Sequence, residues 1–337
     1  MSTALKFLSI ILIVFGGLTN VQAQPIQPAE IGTIEVWDDA LRQIINQDAT
    51  FEVITDGLEW SEGPLWLEKQ QMLLFSDVPT NIIYKWTAEK GKEIYLTPSG
   101  YTGAIPRGEE VGSNGLALDR LGRLVICQHG DRRIALMDAP LNDPKPSFVT
   151  LADKYKGKRM DSPNDLAYHP NGSLYFTDPP YGLINRERDS SKESPYQGIY
   201  KVAPNGDIFL LTDSITRPNG IAFFPGHKKI IIANSDPAKP YWYEYAVDEN
   251  GFFQNGKIFF DARVSLKTSE GMPDGLKIDK KGNVFATGPG GVWIFNEQGK
   301  PLGRIRLKSM AANCAFSEDE KTLFITADAY VLKVKLR

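Results

Sequence analysis

The stretch MDSPNDLAYHPNGSLYFTDPPYG, residues 160–182, reads as a loop, a β-strand, a tight turn, a second strand and another loop. Two short strand-like runs flank the turn residues Pro170-Asn171-Gly172. A polar pair, Asn164-Asp165, stands at the mouth of the first strand. The same phrase recurs along the chain. Its anchors are Glu62 in SEGPLWL, Asn114 in SNGLALD, Asn164 in PNDLAYH, Asn219 in PNGIAFF, Asp274 in PDGLKID and Asn313 in ANCAFSE. Each is followed by a strand, a turn and a second strand, and in most units by a third. Turn glycines such as Gly122, Gly172 and Gly282 fall where positive φ is often needed.

Self-similarity at a period of roughly 50 residues, with about four strands per unit, is the mark of a β-propeller. Six anchors predict six blades of four antiparallel strands, an all-β fold. The last unit has only three strands before the chain stops. Phe51–Ile54 reads as a strand without a nearby hairpin partner, and is expected to close that last blade by supplying its fourth strand. The chain divides accordingly into a leader (1–23), a lead-in (24–48) and one propeller domain (49–337). Within the lead-in, Trp37, Leu41, Ile44 and Ile45 are spaced for a short amphipathic helix over Glu35–Asn46.

The leader is read from Lys6, the apolar run Phe7–Phe15 and the small-residue site Val21-Gln22-Ala23, which together make an export signal cut before Gln24. The run is too short for a comfortable membrane span, so no stable span is expected once it is removed. The expected product is an exported monomer, periplasmic or secreted. A net charge of −3, with basic residues scattered among acids, argues against a nucleic-acid partner. Cys127 and Cys314 both lie in apolar strand-like runs, where a free cysteine behaves as a small buried hydrophobe.

In a propeller, residues just ahead of each inner strand converge on one mouth of the central channel. Glu62, Asn164, Asn219 and Asp274 meet that condition and offer two carboxylates and two amide oxygens. Hard oxygen donors of this kind suit Ca²⁺, Mg²⁺ or Mn²⁺. Any one of these turns alone is ordinary turn chemistry; four at the same point of the repeat are not required by turns.

The phrases SEGP, SPNDLAYHPNGSLYFTDPPYG, RPNGIAF and MPDGLKID resemble the SMP-30/gluconolactonase family over roughly residues 50–335. That resemblance implies a six-bladed propeller holding one divalent metal, most often Ca²⁺, with Mg²⁺, Mn²⁺, Zn²⁺ and Fe²⁺ as alternatives, and hydrolysis of sugar lactones. It implies Glu62, Asn164, Asn219 and Asp274 as metal ligands, with Asp274 also the general base. Asn114 is expected to contact substrate or the water attending the metal. His129, ending the second strand of the second unit, is expected at the same mouth. Asp178 and Tyr181, on the TDPPYG loop, are expected to line the sugar pocket. His169 and His227 fall in turns that point away from the anchors and are assigned no function. Two rivals stand beside this reading: an aryl esterase or phosphotriesterase using the same metal site, and a non-enzymatic ligand-binding propeller.

Overall fold

The computed structural model of the chain describes residues 31–105, 108 and 110–337. Six antiparallel sheets follow one another in sequence, spanning 61–96, 113–152, 166–212, 218–261, 276–307 and 313–335. They are the six blades of a propeller. Within each, consecutive strands are neighbours. The six inner strands touch in a closed ring, with Ser61–Leu67 of blade 1 meeting both Ser113–Leu118 of blade 2 and Asn313–Phe316 of blade 6.

The second strand of each blade lies between two neighbouring blades, which explains why these strands read as nearly unbroken apolar runs. Leu124–Gln128, Leu174–Asp178 and Val284–Gly288 are buried at every residue. Among the described residues, six apolar clusters fill the six interfaces between adjacent blades. Trp242 of blade 4 is fully buried beside Trp293 and Phe295 of blade 5. Cys127 and Cys314 are buried, unbridged members of two such clusters.

Phe51–Thr55 pairs antiparallel with Tyr330–Lys335, Phe51 opposite Val334 and Val53 opposite Leu332. Blade 6 therefore has its fourth strand from the N-terminal side, as expected. The lead-in differs from its reading in two ways. Gly32–Val36 is a strand that adds to the outer edge of blade 5, pairing with Pro301–Leu307. Gly32 allows this, because a Cβ there would sit 2.4 Å from the carbonyl oxygen of Arg306. The expected helix over Glu35–Asn46 is a single 3-10 turn, Asp39–Gln43, capped by Asp38 Oδ1 accepting the Ala40 N–H at 2.8 Å. The strand takes its first residues. Leu41 and Ile45 are buried as the apolar spacing required, whereas Trp37 stays half-exposed against the edge of Trp293. Residues 1–23, where an export signal is expected, lie outside the described residues. Among the described residues no helix is long and apolar enough to cross a membrane.

Candidate functional site

Each anchor stands at the head of its inner strand. Glu62, Asn114 and Asn219 are second in theirs, Asn313 is first, and Asn164 and Asp274 lie two residues ahead of Leu166–Tyr168 and Leu276–Ile278. The residue after the anchor is glycine in four blades, for a steric reason. A Cβ on Gly63 would lie 2.0 Å from the carbonyl oxygen of Asn114, one on Gly115 2.7 Å from that of Asn164, and one on Gly220 2.3 Å from that of Asp274. The glycines let each anchor's backbone close on the next. Hydroxyls of the second strands then tie neighbouring blades: Ser76 Oγ donates to the Asn114 carbonyl at 2.9 Å and Thr177 Oγ1 to the Asn219 carbonyl at 2.7 Å.

The anchors converge on a cavity of about 270 Å³ whose lining includes Glu62, Asn114, Asn164, Asn219, Asp274 and Tyr181. Six of the eight residues singled out in the sequence are thus brought together. Glu62 Oε2 accepts the N–H of Gly63 at 2.9 Å and Nδ2 of Asn313 at 3.4 Å. Lys277 Nζ and the Cys314 N–H both donate to Asn313 Oδ1, so the sixth anchor turns its amide N–H₂ toward Glu62. Burial pushes the Glu62 carboxyl up to about 7 despite these bonds, and the nearby Asp165 charge adds to the rise. Asp274 is held well above the ordinary carboxylate range, first by burial and then by the charge of Glu62. Two buried carboxylates, one raised by the charge of the other, call for a cation.

Oδ1 of Asp274 and Oδ1 of Asn114 are buried and lack any hydrogen-bond partner. Unsatisfied buried acceptors in a cavity with two buried acids fit a hard divalent ion. Among the described residues no three His, Cys, Asp or Glu side chains gather closely enough to hold one. An ion here would depend on the asparagine oxygens together with Glu62 and Asp274.

His129 and Asp178 are placed otherwise; neither is among the residues lining the cavity. Asp178 is fully buried, and its carboxylate accepts the backbone N–H groups of Asp161 and Ser162, each at 2.8 Å. Asp77 does the same for Glu59 and Trp60 in blade 1, and Asn234 for Arg217 in blade 4. Asp178 therefore fills a repeated post at the end of a second strand, holding the loop that leads to its blade's anchor. Burial, with the Asp161 charge second, pushes it up to about 8. His129 is fully buried, neither ring nitrogen has a hydrogen-bond partner, and burial pushes its pKa down to about 3. Its Nδ1 lies 4.0 Å from Glu110 Oε2. Tyr181 does line the cavity, and burial followed by the Asp274 charge raises its hydroxyl pKa. His169 and His227 pack edge to face, ring centroids 5.4 Å apart, beside turns between strands.

Sequence reasoning passed over the loop residues that wall the cavity: Trp60, Glu110, Arg186, Arg217 and Ser235. Two ion pairs join the loops that bear them, Arg186 to Glu110 at 3.7 Å and Arg217 Nε to Glu187 at 2.7 Å. Only Arg217 had a usable signal, standing directly before the Pro-Asn-Gly anchor.

Comparison with known proteins agrees with this geometry. The family described as the SMP-30/Gluconolactonase/LRE-like region matches residues 60–329. A gluconolactonase of Zymomonas mobilis is 39% identical over 313 residues, covering 91% of this chain and 87% of its own. A diisopropyl-fluorophosphatase of Loligo vulgaris is 24% identical, over 82% of this chain and 88% of its own. The solved structure of a gluconolactonase from Xanthomonas campestris superposes with a TM-score of 0.79 at 28% identity, covering 94% of this chain and 99% of that one.

Proposed function

The chain belongs to the SMP-30/gluconolactonase/LRE-like family, and from that premise we propose that it is an exported, metal-dependent hydrolase that opens sugar lactones such as gluconolactone. The observation that carries this reading is the unpartnered Oδ1 of Asp274, buried in a cavity shared with Glu62 and three asparagine anchors. The activity of the Zymomonas mobilis relative supports the substrate class.

Glu62, Asn164, Asn219 and Asp274 would hold one divalent cation, with Ca²⁺ the best match to two carboxylates and two amide oxygens. A bound cation would polarise the lactone carbonyl and stabilise the charge that grows on its oxygen. Asp274 takes the proton of the attacking water. Its Oδ1 has no other hydrogen bond to surrender, and a cation beside it would keep the carboxylate ionised and ready to accept that proton. Asn114 and Tyr181 meet the ring hydroxyls of the substrate from the cavity wall. The loop-borne Glu110, Arg186 and Arg217 provide further polar groups at the same cavity, which favours a polyhydroxylated ring over an aryl ester.

A pH-stat assay on gluconolactone tests this with native protein, chelator-treated protein and Asp274→Ala. Both treatments should abolish the enzymatic rate, and added Ca²⁺ should restore only the first. Turnover that survives chelation and the substitution alike removes the mechanism. Export is tested by N-terminal sequencing of the mature protein, which should begin at Gln24.

A further inference from the structure

Ser235 follows the second strand of blade 4 and has no part in the chemistry above. It is buried, with its Oγ 2.5 Å from the carbonyl oxygen of Pro273 and 3.1 Å from Nδ2 of Asn219. The Tyr181 hydroxyl is a third polar neighbour of Ser235, and the Pro273 contact fixes where the Ser235 proton goes. A carbonyl oxygen only accepts, so the single hydroxyl proton of Ser235 goes to Pro273, and its Oγ keeps nothing but lone pairs for its other neighbours. The part of the Asn219 amide that faces it must be the N–H₂ group, which also reaches the Asp274 carboxylate. The opposite end of that amide is the oxygen.

We propose that Ser235 is the positioning residue that keeps the Asn219 amide turned with its oxygen toward the cation site. This rests on the reading of Glu62, Asn164, Asn219 and Asp274 as a ligand set. A terminal asparagine amide is broad and nearly two-fold in its torsion, so without a partner on its nitrogen either end can face the cavity. With the N–H₂ end inward, a donor would point at a cation. The Ser235 bond to Pro273 also ties it to the residue just ahead of Asp274, so two of the oxygen donors are held from one hydroxyl. The corresponding residues after the second strands of blades 1, 2, 3, 5 and 6 are Val78, His129, Pro179, Pro289 and Asp328. None carries a hydroxyl, so the device belongs to blade 4 alone.

Calorimetric titration of Ca²⁺ into chelator-stripped full-length protein tests this with five forms: native, Ser235→Ala, Ser235→Thr, Asn219→Ala, and Asn219→Ala with Ser235→Ala. Loss of an outer partner of a metal ligand typically weakens affinity by about 10- to 100-fold. Ser235→Ala should therefore bind at least about tenfold more weakly. Ser235→Thr, which keeps the hydroxyl, should return close to native. Once Asn219 is alanine, removing Ser235 should cost no more than about twofold further, the mark of residues acting as a unit. Melting curves of the stripped proteins confirm that each variant is folded. If Ser235→Ala binds like the native chain, or loses the same factor whether or not Asn219 is present, the positioning role is overturned and the cation site stands. If folded native protein takes up no Ca²⁺ or other divalent ion, the ligand-set reading falls and takes the proposal with it.

Discussion

Stripped of cations, the site should make the protein less stable as pH rises, and Glu62 sets the size of the effect. Burial lifts its carboxyl from an ordinary 4.5 to about 7. Between those values the folded protein keeps a proton that the unfolded chain has released. The unfolded state therefore gains on the folded one throughout that window, and the loss is complete above about pH 7. At about 1.4 kcal/mol for each pH unit between the two values, Glu62 alone accounts for about 3 kcal/mol. Asp274 is raised as well and adds a loss of the same sign. For a domain of this size the Glu62 share corresponds to a fall of roughly 4–5 °C in Tm between pH 5 and pH 8. Asp161 and Asp178 are also raised by burial, so the Glu62 share must be isolated by difference. The assay is thermal unfolding in chelator at several pH values, native protein against Glu62→Gln. The variant should show a distinctly flatter profile. Saturating Ca²⁺ should reverse the native slope, because an occupied site displaces the proton at every pH. Parallel native and Glu62→Gln profiles from pH 5 to 8 in chelator would refute the account of two uncompensated buried acids.

Asp178→Ala should act on stability and leave binding alone. It strips the partner from two buried backbone N–H groups, at about 1–3 kcal/mol each, and urea unfolding should register the loss while KM on a lactone stays native; a raised KM with native stability would place Asp178 at the substrate instead. Gly115→Ala should lower activity as well as stability, because its Cβ would press on the Asn164 carbonyl from 2.7 Å and displace a ligand, costing on the order of 10- to 100-fold in kcat/KM beside about 1–3 kcal/mol of overpacking. Gly122→Ala, at a turn with φ +74 and open space around the new methyl, should lose only about 1 kcal/mol in unfolding experiments and keep its rate. Deleting residues 49–57 removes the strand that covers the open edge of blade 6 and should yield aggregates by light scattering; a soluble, stable monomer would show that the strand does not close the ring.

The parts of the molecule legible in the sequence are those that the ring repeats. Glu62, Asn114, Asn164, Asn219, Asp274 and Asn313 could be read together because every inner strand must bring its head to the same mouth. The glycines after four of them follow from the approach of the next anchor, by its backbone at Gly63, Gly115 and Gly220 and by the Asn313 side chain at Gly275. Elements that occur once left no such trace. Gly32–Val36 pairs with a strand near the far end of the chain, and its five residues look no different from a polar lead-in until that edge is seen. The spacing of Leu41 and Ile45 reported burial faithfully. Spacing alone could not tell one 3-10 turn from a longer helix.

Asp178 shows the converse. The TDPPYG loop is unlike those of the other blades, which drew attention to its acid as a sugar contact. Yet Asp77 and Asn234 perform the same backbone-holding task, so that acid belongs to the repeat and only Tyr181 to the cavity. Glu110, Arg186 and Arg217 come from loops of unlike length, where no register links one blade to the next. The division has a physical cause. Positions fixed by ring closure can hold oxygen donors to within a few tenths of an ångström, as buried charges require. Recognition of a particular ring of hydroxyls is left to loops, tied by exposed ion pairs worth little in stability, where side chains can change without disturbing the blades. On that reasoning, loop exchange among relatives should move substrate choice while leaving cation affinity in place, and substitutions at Glu62 or Asn219 should do the opposite.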